Sequence, residues 1–176
     1  MHMKKKNKKL IKPTFERPVD RYFYELDQRI IPGDRIVYSV FLALLFFGVL
    51  ALVWMIPFPK LALLERMNMQ NFLNWGSFYI AVVIYLYLRL APTLSYAMLF
   101  SIGIMSFLIV QLEYLERGGG PAVWSVALCL TLVGAIGLFF QARKGHQVSF
   151  QEVWRLITIG PIWLWSKVFE RLKIKY

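Results

Sequence analysis

Apolar residues in this chain fall into long unbroken runs rather than alternating or helically spaced patterns. The first run, residues 36–56, holds twenty-one residues without a charge. As a helix rising about 1.5 Å per residue it is long enough to cross a hydrocarbon core of about 30 Å. Pro57 and Pro59 follow and end it, because proline cannot donate to the helical ladder. The second run, 72–90, carries Arg89 close enough to its end to snorkel toward headgroups. Ala91, Pro92 and Thr93 read as a short turn, and a third run covers 94–112. Glu113, Glu116, Arg117 and the triple Gly118-Gly119-Gly120 read as a polar loop before the fourth run, 121–140. Pro121 suits a first helical turn, where its missing N–H costs nothing. The first run lies too far from the start and is too long for a signal peptide. The expected fold is an all-α integral membrane protein with four transmembrane helices, near 36–56, 72–90, 94–112 and 121–140.

Residues 1–35 then form a basic cytoplasmic N-terminal segment, 36–140 the transmembrane domain, and 141–176 a cytoplasmic or interfacial C-terminal part of the same domain. Within the last, 153–169 is apolar but interrupted by Arg155, Lys167 and a central Gly160-Pro161. Gly-Pro is expected to break a straight helix. Seventeen residues is also short for a span, and Trp154, Trp163 and Trp165 with flanking cations suit the headgroup boundary. An interfacial helical segment is the preferred reading; a fifth span is the alternative.

Composition removes the soluble option. Hydrophobic residues are 58% of the chain and aromatics 16%, more apolar surface than a water-soluble domain of 176 residues can hide. Charge then sets the orientation. Of the 21 Lys and Arg, ten precede the first run and seven follow the fourth, while the three intervening loops hold two, one and one. The positive-inside bias therefore predicts an inner (plasma) membrane protein with both termini cytoplasmic. The lysines at 4–6, 8 and 9 read as a topology signal with affinity for anionic lipid. The nucleic-acid alternative lacks interleaved aromatics or glycines, so no nucleic-acid partner is expected.

Candidate chemistry is sparse. One Cys and two His exclude an intrachain disulfide and a multi-cysteine zinc site. No nucleophile elbow, phosphate loop, dinucleotide fingerprint or zinc-protease motif occurs. The runs contain no ionisable group except the terminal Arg89, which argues against a transporter or proton pump. The remaining candidates cluster at the ends of runs one and four. One group is Glu25, Asp27, Gln28, Arg29, Asp34, Arg35 and Tyr38; the other is Gln141, Arg143, Lys144, His146 and Gln147.

Several short stretches, in this order, give the chain a family likeness. They are Ile31-Pro32-Gly33-Asp34-Arg35, Trp54-Met55-Ile56-Pro57, Tyr87-Leu88-Arg89-Leu90-Ala91-Pro92-Thr93-Leu94, Ser149-Phe150-Gln151-Glu152 and Ile159-Gly160-Pro161-Ile162-Trp163-Leu164. From about Val19 to Tyr176 the chain resembles the membrane-embedded 2-hydroxy fatty acid dioxygenase family, bacterial branch, whose eukaryotic members act in the α-oxidation step of phytosphingosine breakdown. The resemblance implies an iron site near the start of span one and the end of span four. The positions that its histidine motifs map onto are Arg29, Asp34 and Tyr38, then Phe140, Gln141, Lys144 and Val148, with His146 out of register. Cations at Arg29 and Lys144 would repel Fe2+ rather than hold it. No metal or cofactor is therefore expected, Fe2+ being required only if the family chemistry is retained.

The expectation is a non-catalytic lipid-binding or structural protein on that scaffold. Its pocket would be roofed by Gly160-Pro161, with Arg29 and Lys144 holding an acidic lipid head and Asp34, Tyr38, Gln141 and His146 beside them. Asp34 or Asp27 could instead be the carboxylate between the two cations. The alternatives are an active lipid-modifying oxygenase and an accessory subunit of a membrane complex. Membrane lipids are the expected partners, with a protein partner or a second copy under the last reading.

Overall fold

Two helices approach each other through glycine at the centre of the molecule. α2 (Arg35–Trp54) is apolar on every side, and α5 (Val123–Arg143) runs against it. A methyl group on Gly134 of α5 would lie 2.5 Å from the Leu45 backbone nitrogen and 2.8 Å from the Phe41 carbonyl oxygen. Gly48 of α2 is held as tightly against Thr131 and the Ala127 carbonyl, and Gly137 against the Phe41 ring. At the end of this seam the Gln141 amide donates to the Asp34 carbonyl at 2.9 Å. Partner numbers fall on one helix as they rise on the other, so the two are antiparallel. Small residues at such a seam let backbones meet where lipid removes any hydrophobic reward for association.

The computed structural model describes residues 17–30, 34–59, 74–143 and 150–175, less the side chains of 29 and 150–153. Every regular element among the described residues is a helix. Three of them, α2, α4 (Pro92–Arg117) and α5, are long and apolar enough to cross a membrane. α3 (Trp75–Leu90) is apolar but has only 16 residues. Its start is set by Asn74, whose side chain accepts the Ser77 N–H at 2.8 Å as an N-cap. Gly76 packs on the Trp54 indole and Tyr79 faces Phe46, so α3 is antiparallel to α2.

Element boundaries depart from the sequence expectation in two places. The turn expected over Ala91, Pro92 and Thr93 contracts to Ala91 alone, whose N–H closes α3 on the Tyr87 carbonyl and whose own carbonyl accepts from Ser95. Pro92 is the first residue of α4. The polar loop expected from Glu113 is instead the last turns of α4, which ends at Arg117. Gly119, with φ +89°, then makes the reversal. Glu116 reaches across that reversal, its carboxylate accepting the Val123 N–H at 3.2 Å. This external cap starts α5 at Val123 and leaves Pro121 outside the helix.

Two helices flank the apolar bundle at one end. α1 (Pro18–Arg29) lies in the N-terminal basic segment, where no element was expected. Proline at its first turn and Asp20 paired with Arg17 at 3.0 Å favour its start. Val19, Phe23, Leu26 and Ile30 form its buried stripe. α6 (Phe150–Arg171) continues through Gly160-Pro161, correcting the expected break. Side chains from α2 and α3 anchor this turn at the carbonyls on either side of Ile157 O, the one that Pro161 leaves without a helical donor. Tyr38 donates its hydroxyl to Leu156 O at 2.7 Å and Tyr87 to Thr158 O at 2.9 Å. Gly160, lacking a side chain, lets the Tyr38 hydroxyl lie directly against it.

Candidate functional site

Gln141, at the end of α5, reaches the start of α2 and meets the Asp34 carbonyl, one helical turn before Tyr38. The Tyr38 hydroxyl and the Gln141 side chain are turned inward. The Tyr38 side chain is buried between α2 and α6, and its hydroxyl serves the Leu156 carbonyl. Gln141 spends its amide on Asp34 O, while its side-chain oxygen is buried with no partner among the described residues. The Arg29 side chain, Lys144 and His146 lie outside the described residues, and so does the expected Arg29–Lys144 anion site.

The cation pairing that the structure does describe centres on Asp27, one of the two carboxylates considered for that role. Its Oδ2 accepts from Lys167 Nζ at 2.7 Å, and its Oδ1 from Arg35 Nη2 at 3.4 Å and Trp163 Nε1 at 3.3 Å. The Arg35 guanidinium also stands over the Trp163 ring, 5.7 Å from its centroid. Trp163, expected at the headgroup boundary, is fully buried within the protein and meets Tyr38 edge-on. Lys167 is pulled in both directions. Burial disfavours its charge, but hydrogen bonds to Asp27 and Glu170 outweigh this and raise its pKa above the ordinary 10.5. It is therefore a fixed cation at neutral pH. Arg35 Nε is buried and unpartnered among the described residues.

Beside this network a cavity of about 380 Å3 opens between α2, α4 and α6. Leu42, Phe46, Met98, Met105 and Leu164 make its floor apolar, and Ser39 and Ser101 supply hydroxyls. Arg35, Lys167 and Arg171 form its charged rim, with no Asp or Glu in the lining. Trp165 closes one side and is fixed by its Nε1–H donating to Ser101 Oγ at 3.0 Å. An apolar floor under a few convergent polar groups is the usual design of a small-ligand site. Lys167 and Arg171 entered the sequence reading only as flanking cations. A signal was nonetheless present: Leu164, Lys167, Val168 and Arg171 recur at helical spacing, placing cations and apolar groups on one face.

Comparison with family models, with curated proteins and with solved structures finds no match to this chain. Of the positions that the family resemblance maps to iron ligands, Lys144, Val148 and the Arg29 side chain lie outside the described residues. The Tyr38 hydroxyl and Gln141 amide serve backbone carbonyls, and no three His, Cys, Asp or Glu side chains converge among the described residues.

Proposed function

We propose that this is a multi-pass inner-membrane protein that binds a membrane lipid in the cavity between α2, α4 and α6, without catalysis. The observation that carries this reading is the cavity itself, apolar in its floor and cationic on one rim. That arrangement matches an amphiphile in both chemistry and layout, whereas a polar metabolite would leave the floor unused.

Parity supports four spans. α2 and α5 are antiparallel, so a chain crossing in one and returning in the other crosses an even number of times between them. α4 is long enough for one of those crossings, and α3 supplies the other. At about 1.5 Å per residue, 16 residues fall somewhat short of the core, a mismatch that local thinning absorbs. The distribution of Lys and Arg supports a cytoplasmic position for both termini. α6 meets α2 at Arg35, Tyr38 and Leu42, all near one end of that helix. This supports α6 as an interfacial helix across the cytoplasmic end rather than a fifth span.

The scaffold is that of the 2-hydroxy fatty acid dioxygenases, in a diverged form. What supports this is the order and spacing of the short sequence stretches set out above, from Ile31-Pro32-Gly33-Asp34-Arg35 to Ile159-Gly160-Pro161-Ile162-Trp163-Leu164. Mass spectrometry of gently purified protein tests the functional reading. Retained lipid that is lost when Ala43→Phe fills the cavity supports it. Stoichiometric iron with turnover of a 2-hydroxy fatty acid would replace it by the oxygenase reading. A reporter fused at residue 176 that reports from the periplasmic side would overturn the four-span topology.

A further inference from the structure

The rim of the cavity carries a more specific chemistry than lipid binding. Arg35, Lys167 and Arg171 line it together. Arg35 and Lys167 share the Asp27 carboxylate, and Arg171 follows Lys167 by one turn of α6. Three cations against Asp27 and Glu170 leave this rim net positive. A carboxylate presents two oxygens in one plane, enough for one guanidinium fork. A phosphate monoester, as in phosphatidate, presents three terminal oxygens that an ammonium and two guanidinium groups can share. The lining also includes Ile36 and Val168, 76% and 40% exposed, apolar side chains that would face the bilayer. An occupant therefore enters sideways from lipid rather than from water.

We propose that the cavity selects one acidic glycerophospholipid from the surrounding bilayer, its phosphate held by Arg35, Lys167 and Arg171 and one acyl chain laid over Leu42, Phe46 and Met98. This rests on the reading of the cavity as a lipid site and adds the headgroup chemistry. Asp27 competes with the phosphate for Lys167 and Arg35, so neutralising it strengthens binding. A choline headgroup would bring its own cation against three others, which disfavours phosphatidylcholine.

The test uses the full chain in phosphatidylcholine nanodiscs doped with phosphatidate, with bound lipid read by native mass spectrometry. The expected result is one phosphatidate per chain retained over phosphatidylcholine. Lys167→Gln and Arg171→Gln each weaken retention about tenfold, the scale of a hydrogen bond to a charged group. Lys167→Arg keeps it, separating lost charge from lost fold, and Asp27→Asn strengthens it several-fold. Arg155→Gln, on the same helix but outside the cavity, leaves it unchanged. Equal weakening by Arg155→Gln would mean diffuse surface attraction and would overturn the proposal. Phosphatidate and phosphatidylcholine retained equally, with both lost in Ala43→Phe, would refute the headgroup assignment while leaving a lipid cavity. Preferential retention of oleate would likewise refute it, in favour of a fatty-acid carboxylate. No lipid retained in any arm would remove the lipid-site reading as well.

Discussion

At Gly134 two helix backbones touch with no side chain between them, whereas at Asp27 three helices are joined by an ammonium, a guanidinium and an indole on one carboxylate. The α2–α5 seam is apolar and relies on closeness; the α1–α6 end is polar and relies on directed hydrogen bonds. The contrast is what the proposed placement, with the seam in hydrocarbon and the polar end among headgroups, would require. Within hydrocarbon a polar tie must be fully satisfied, and steric fit at glycine needs no such matching. Near headgroups water and ions reduce the cost of a charge, so ion pairs can position helices there. Any ligand chemistry belongs with the second region, since the first leaves no room and offers no reactive group.

The largest expected effect breaks the seam. Gly134→Leu places a side chain against backbone atoms of Leu45 and Phe41 that cannot move aside. It should cost about 3 kcal/mol or more, read by denaturant unfolding in micelles. Gly103, with open space around its added methyl, is the matched control. Gly103→Ala should be neutral or stabilising by up to about 1 kcal/mol. A seam insensitive to Gly134→Leu would mean that these helices do not pack as described.

Next comes the junction between the two regions. Tyr38→Phe removes the donor to the buried Leu156 carbonyl and should cost about 1–3 kcal/mol. Faster amide exchange should be confined to α6 around Pro161. A uniform loss across α2 and α5 would show that the tyrosine supports the seam rather than the helix through the proline.

The polar end should be distinguished by pH. The Lys167 pKa is raised in the folded protein, so its contribution is fully present below 10.5 and fades as pH rises through the higher folded value. Its size is about 1 kcal/mol, since Asp27 remains partly exposed. Lys167→Arg, which does not titrate in this range, should abolish the alkaline loss; a loss unchanged in that variant would assign it elsewhere. The smallest effect belongs to the exposed Arg21–Glu25 pair. Arg21→Ala should change stability by less than about 0.5 kcal/mol in the same unfolding measurement.

How much of this was legible in the sequence varies by element. The runs beginning at 36, 94 and 121 announced α2, α4 and α5, because a long charge-free stretch has one satisfactory structure in lipid. Their ends were less legible. Glu116 reads as loop until it is found capping the helix after it, and Pro121 reads as a helix start until that cap displaces it. α1 could have been found from Val19, Phe23, Leu26 and Ile30, but its basic surroundings read as a topology signal. At the site, the inward turn of the Tyr38 hydroxyl and the Gln141 amide onto backbone carbonyls was not legible.

By itself, then, the sequence determined that the chain is helical and where its apolar runs lie; of the four spans expected from it, three are helices long and apolar enough to cross a membrane. These are consequences of local composition: each run must leave water and bond its own backbone wherever its neighbours stand. Only the tertiary structure decided that α6 continues through Pro161, that Trp163 turns inward, and that Asp27 pairs with Lys167 and Arg35. Each depends on a side chain brought from far along the chain: the Tyr38 hydroxyl to Leu156, the Trp163 indole and the Lys167 ammonium to Asp27. A carboxylate, a hydroxyl or an indole N–H can be satisfied by many partners, and which one it takes is settled by the packing that places them within reach.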